Sequence, residues 1–190
     1  MGRVEGVNMP IVIVPHPNLF AGYRHVDGVI GYDIFIKFEV EINASRRLIT
    51  FRPALSALLS SDFEKVPLQI EDSRPIVESK LFFTASSEQA CSLMLDTGST
   101  LGLLVKTTDL QDFPAGVRQR ILGRGLNGDI MGITTQAHKV TLANFQLSSV
   151  EAGVTYSPWH NYASVGMGIM KDYVFVLNYC QAYAAFKRIS

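Results

Sequence analysis

Little in this 190-residue chain points to a metal, a disulfide scaffold or a polyanionic partner. It has two cysteines, Cys91 and Cys180. They are too few for a cross-linked framework and lack the CxxC or mixed Cys/His spacing of a zinc site, so they read as buried free thiols. The four histidines (His16, His25, His138, His160) show no i, i+4 pairing. No metal and no cofactor is expected. Lys plus Arg and Asp plus Glu balance at 17 each, so no long-range field draws nucleic acid or an anionic membrane. No apolar run is long enough to span a bilayer. The opening, MGRVEGVNMPIVIVPHP, carries Glu5 and a brief apolar patch closed by Pro15. It is a poor signal peptide and reads better as a strand that begins in mid-fold. The compartment stays open, an extracytoplasmic one following only if a signal lies upstream.

What the chain does have is hydrophobic material, 47% of its residues with 10% aromatic, in short runs separated by Gly, Pro and Asn. The runs 10–14, 35–42, 47–51, 75–83, 91–95, 139–147 and 173–179 are rich in Val, Ile, Phe and Tyr at strand length, which predicts an all-β fold. Helices are expected to be few and short, at 54–63, at 115–122 after Pro114, and as one turn at 169–173.

An internal repeat organises these runs. The stretch from Gly28 aligns without a gap to the stretch from Val165 at an offset of 137, matching Gly31 to Gly168 and Phe38 to Phe175. Each copy reads apolar residue, glycine, short turn or helix, long strand, turn, final strand. The implied organisation is the tail of a first lobe (1–53), a connector (54–72) and a complete second lobe (73–190).

The most informative stretch is LMLDTGSTLGLLV, Leu93 to Val105, which sets Asp96 between two apolar strands. An unpaired buried carboxylate is costly, so it must find partners or hold a proton. Gly98 permits a tight backbone approach, and the hydroxyls of Thr97 and Ser99 can bond the carboxylate or the neighbouring loop. About 30 residues on, LGRGLNGDIMG (122–132) reads as a hairpin turning at Asn127-Gly128. It lacks the GK[ST] ending of a phosphate-binding loop.

With these motifs the chain resembles the pepsin/retropepsin superfamily of aspartic proteases, most closely the bacterial two-lobed retropepsin-like type. Four stretches carry the resemblance: VDGVIGYDIF (26–35), RPIV (74–77), MLDTGST (94–100) and LGRGLNGDIMG (122–132). It implies an acid-protease β-barrel lobe, and peptide or protein substrates hydrolysed by two aspartates that share one proton and activate a water. Asp96 would be one of the pair, Thr97, Gly98 and Ser99 its supporting loop, and Gly123, Arg124, Gly125, Leu126, Asn127 and Gly128 a flap over the cleft. Gly31 and Gly168 would be the glycines packed beside each acid loop. The chain departs from the pattern in having a single Asp-Thr-Gly. The second acid would come from a missing first lobe or from a second copy in a homodimer. A catalytically inactive peptide-binding or scaffolding module of the same fold is the rival expectation.

Simpler roles compete at several positions. Asp96 could cap its own turn, since Asp-Thr-Gly is good turn chemistry. Arg124 reads as a solvated side chain, Asp27 as a turn or helix cap, and Trp159 as a packing residue. Tyr156, Tyr162 and His160 have no assigned role.

Overall fold

The structure, a computed structural model, describes residues 28–55, 59–109, 118–125, 128–158 and 162–189. The expected strand at 10–14, together with Asp27, Leu126, Asn127, Trp159 and His160, lies outside them. The described chain is all-β, with two four-residue helices, α1 (Tyr32–Phe35) and α2 (Met167–Met170). No helix among the described residues is long and apolar enough to cross a membrane.

The strands follow from alternation. In β5 (Arg74–Phe82), Val77, Ser79 and Leu81 are buried while Glu78 and Lys80 between them face outward, the period-two pattern of a strand with one face on a core. A five-stranded sheet is built from β1 (Phe38–Asn43), β2 (Leu48–Pro53), β3 (Glu64–Pro67), β12 (Tyr173–Asn178) and β13 (Tyr183–Arg188), in the order β2-β1-β12-β13-β3. The second sheet contains β4 (Gln69–Glu71), β5, β6 (Glu88–Asp96), β7 (Leu103–Thr107), β8 (Arg120–Gly125), β9 (Gly128–Leu142), β10 (Phe145–Tyr156) and β11 (Ala163–Gly166). Its order is β4-β5-β6-β11-β7-β10-β9-β8, and an extra β5–β9 pairing, Leu81 to Val140, closes six of its strands into a barrel. One continuous core joins barrel residues such as Leu93, Leu103, Val140 and Val165 to Phe175 and Phe186 of the five-stranded sheet.

Three local expectations are corrected. The run 139–147 is not one strand but a hairpin corner, because Ala143 adopts φ 53° and turns β9 into β10. The end of 115–122 belongs to strand β8, and the described residues of 54–63 form turns rather than a helix. Within 54–72, β3 extends the five-stranded sheet and β4 edges the barrel.

The internal repeat is present with its register moved by two residues. Helix α1 matches α2, β1 matches β12 and β2 matches β13 at an offset of 167 − 32 = 135. Gly31 is therefore the counterpart of Gly166, not Gly168. Both glycines stand at the helix N-cap in extended backbone, with φ −118° and −109°. Fine detail repeats at the same offset. Asn43 Oδ1 accepts from the Arg46 amide at 3.1 Å, and Asn178 Oδ1 from the Gln181 amide at 3.0 Å. Arg47 and Ala182 both take positive φ, 53° and 51°.

The two copies pair with each other about a pseudo-twofold axis. In the antiparallel register of β1 on β12, Glu41 faces Val176, its own counterpart, with Glu39–Asn178 and Asn43–Val174 on either side. Beside the axis lies a buried carboxylate. Glu39 is 1% exposed and accepts hydrogen bonds from the Tyr183 hydroxyl and from Asn178 Nδ2, with Arg52 Nη1 at 3.5 Å. Such a charge is tolerated because it is surrounded by donors.

Candidate active site

Asp96 is the last residue of β6, where the strand runs parallel to β11 and places Asp96 beside Gly166. The chain then turns tightly. Asp96 Oδ1 accepts the Gly98 amide at 3.0 Å, and the Asp96 carbonyl accepts the Ser99 amide at 3.2 Å. Ser99 Oγ accepts the Leu101 amide at 3.2 Å. Side-chain capping of one's own turn is common Asp and Ser chemistry, and it holds the carboxylate in one orientation. Asp96 is partly buried, and its Oδ2 meets no donor among the described residues. Thr97 and Gly98 are exposed.

The loop is fixed from behind by the second copy of the repeat. Gly166, Met167 and Gly168 donate their amides to the carbonyls of Gly102, Ser99 and Leu101 at 3.0, 2.8 and 3.2 Å. The approach leaves no room for a side chain. A Cβ on Gly166 would stand 2.4 Å from the Leu101 carbonyl oxygen, and one on Gly168 2.6 Å from the Gly102 nitrogen. Sequence alignment at offset 137 selects Gly168 rather than Gly166, because both glycines of VGMG, two residues apart, qualify. Phe51 with Phe186 and Asn43 with Asn178, identities found only at offset 135, were the signal that could have separated them.

The expected flap is a hairpin in its described part: β8 pairs β9, with Gly125 opposite Gly128 and Arg124 opposite Asp129. Gly128 has φ +110°, which suits glycine at a tight reversal. Arg124 is exposed, as expected of a solvated side chain, and its Nε also donates to Asp129 Oδ1 across the hairpin at 2.7 Å. Beneath the hairpin lies a cavity of about 570 Å³, lined by Gly128, Ile130 and Met131 together with Leu104, Lys106 and Tyr156. A second cavity of about 670 Å³ opens behind the acid loop between Thr100–Leu103 and Arg120–Leu122. Asp96 lines neither cavity. The structure thus gathers Asp96, Thr97, Gly98 and Ser99 in one loop and puts Gly123, Arg124, Gly125 and Gly128 on a separate hairpin.

Other side chains take structural places. Tyr162 accepts hydrogen bonds from Arg74 Nη1 and Lys106 Nζ, each at 2.9 Å, tying the start of β5 to β7. Cys91 is partly buried and burial raises its thiol pKa, which leaves it protonated and unreactive at neutral pH. Cys180, expected to be buried, is exposed, with its Sγ donating to the Ile36 carbonyl at 2.8 Å. Among the described residues, no three His, Cys, Asp or Glu side chains gather as a metal site would require.

No protein-family model matches the chain, and no curated protein matches it in sequence. Among solved structures, it is similar to a retropepsin-like aspartic protease from Rickettsia conorii, at 12% identity over 65% of this chain and 89% of that one, with a TM-score of 0.43.

Proposed function

We propose that Asp96 is one half of an acid pair that hydrolyses peptide bonds, with residues 1–53 as the closing part of a first lobe, 54–72 a connector and 73–190 the second lobe. The observation that carries this reading is the paired repeat. A carboxylate held at the end of β6 beside Gly166 has a symmetric position beside Gly31, and its Oδ2 meets no donor among the described residues. Two carboxylates at close range share a single proton. The ionised one takes a proton from a bound water, the water oxygen attacks the scissile carbonyl carbon, and the protonated one donates to the carbonyl oxygen. The tetrahedral adduct then collapses with proton transfer to the leaving amine. The hairpin of β8 and β9, with Gly123, Arg124, Gly125 and Gly128, would cover the peptide.

The test is cleavage of a peptide library at acidic and neutral pH by the complete protein, repeated with Asp96→Asn. Loss of cleavage supports the assignment, and unchanged cleavage removes Asp96 from the mechanism. A second reading, a non-catalytic peptide-binding module, is favoured by one feature: among the described residues β2 is an edge strand, with Leu48 and Ile49 half exposed, to which a peptide strand could add. It predicts peptide binding that Asp96→Asn leaves unchanged.

A further inference from the structure

The cavity of about 570 Å³ beneath the β8–β9 hairpin has no part in the chemistry proposed for Asp96. Strand β7 leaves the acid loop at Leu103 and reaches Lys106 three residues later, about 10 Å along an extended chain. Asp96 does not line the cavity, which is therefore a space of its own. Leu104 and Lys106 of β7, with Thr155 and Tyr156 of β10, form one wall, and Gly128 to Met131 of the hairpin form the other. The volume is that of pockets which hold small molecules.

The lining divides into an apolar part and a polar part with a cation in it. Leu104, Ile130 and Met131 supply hydrocarbon, and Met131 is left 44% exposed. Two of the polar groups are already used within the protein. Thr155 Oγ1 donates to the Met131 carbonyl at 2.7 Å, and Asp129 is neutralised by Arg124, also at 2.7 Å. The side chains of Gln119, Tyr156 and Ser157 make no hydrogen bond among the described residues. Lys106 gives one N–H to the Tyr162 hydroxyl at 2.9 Å and meets no carboxylate within 4 Å among the described residues. A second cation stands beside it, because Arg74 donates to the same hydroxyl, and the Asp72 paired with Arg74 is largely in solvent. An ammonium has three donors, so two of those of Lys106 are left for a ligand.

We propose that this cavity binds a small monocarboxylate that carries an apolar group. The carboxylate bonds Lys106, with Ser157 and Tyr156 as further donors, and the apolar group rests on Leu104, Ile130 and Met131. One ammonium, with neither an arginine fork nor a helix N-terminus in the lining, suits a single negative charge rather than a phosphate dianion. Because the two walls belong to the barrel and to the hairpin, the ligand bridges them and holds the hairpin against β7 and β10. A free organic acid and the C-terminal residue of a peptide share this chemistry. The site stands apart from the cleavage reading, since no lining residue belongs to the acid pair.

The test is titration of the full chain, labelled with nitrogen-15, with N-acetyl-leucine at neutral pH. Saturable shifts are expected at the amides of 104–106, 128–131 and 155–157, with slower hydrogen exchange across 128–131. N-acetyl-leucinamide, which lacks the charge, and acetate, which lacks the apolar group, should each bind at least about tenfold more weakly. Lys106→Met keeps the stem, removes the charge and should weaken binding by about the same factor. Met131→Trp, at a 44% exposed position, is a second variant that fills the cavity and leaves Lys106 on Tyr162. Hexanoate and an N-acetylated tripeptide ending in leucine distinguish the two sources. Tighter binding of hexanoate supports a site for free acids, and tighter binding of the tripeptide a site for peptide ends. Asp96→Asn should bind equally, which separates this site from the cleavage assay. The inference is overturned by the absence of saturable shifts at millimolar ligand, by an amide that binds as well as the acid, or by an affinity that Met131→Trp or a folded Lys106→Met leaves unchanged.

Discussion

Residues 28–53 and 163–188 adopt the same helix, strand, turn and strand, yet the second copy is mostly buried and the first about half exposed. Phe186 is 0% exposed and its counterpart Phe51 only partly buried; Tyr183 and Ala184 are buried, whereas Leu48 and Ile49 are half exposed. The backbone conformations agree down to the left-handed residue of the turn. Local sequence is therefore sufficient to shape the unit, and the surrounding barrel decides how much stability each copy contributes. Burial of apolar surface, not propensity, separates them.

The comparison can be broken most forcefully at its aromatic pair. Phe186→Ala should cost about 4 kcal/mol and Phe51→Ala about half that, because only the first leaves an enclosed cavity. Urea denaturation of both variants measures the difference, and equal losses would mean the copies are equally packed. The glycine pair comes next. Gly166→Ala should cost about 3 kcal/mol, since its methyl meets two backbone carbonyls, whereas Gly31→Ala should stay within about 0.5 kcal/mol.

A smaller asymmetry is confined to alkaline solution. Tyr179 and Tyr183 are both pushed up to about 12, by burial first, with Tyr32 beside the former and Glu39 bonded to the latter. Their counterparts, Ala44 and Leu48, do not titrate. Unfolded tyrosines ionise near 10 and these hold their protons in the folded state to about 12, so their contribution is complete below pH 10 and is lost as pH rises from 10 to 12. Unfolding curves between pH 9 and 12 should show this loss, and Tyr183→Phe should flatten it. The smallest contrast is between the turn asparagines. Asn43→Ala should cost about 1 kcal/mol, and Asn178→Ala about 2 kcal/mol, because Asn178 alone also bonds the Ala54 carbonyl and Glu39 inside the protein.

Much of this was legible in the sequence because period-two alternation and turn residues are local signals. The strands around 75–83, 91–95 and 173–179, the tight loop after Asp96 and the Gly125–Gly128 hairpin could all be read from them. What failed depended on distant partners. Nothing local reveals that Ala143 turns left-handed inside KVTLANFQL, so two strands read as one. The repeat was visible but misregistered, because VGMG offers two glycines and the match of Phe38 to Phe175 selects the wrong one, whereas Phe51 with Phe186 and Asn43 with Asn178 select Gly166, the N-cap residue. Glu39 gave no sign of burial, since its donors come from Arg52, Asn178 and Tyr183, far along the chain.

The most direct test of the central claim, one unit built twice and covered once, is native-state hydrogen exchange of six amides in the full chain. Gly166, Met167 and Gly168 should exchange only through near-global unfolding, and Gly31, Tyr32 and Asp33 at rates close to those of an open chain. Equal, strong protection at both sets would contradict the account, because it would mean that the first copy is already covered.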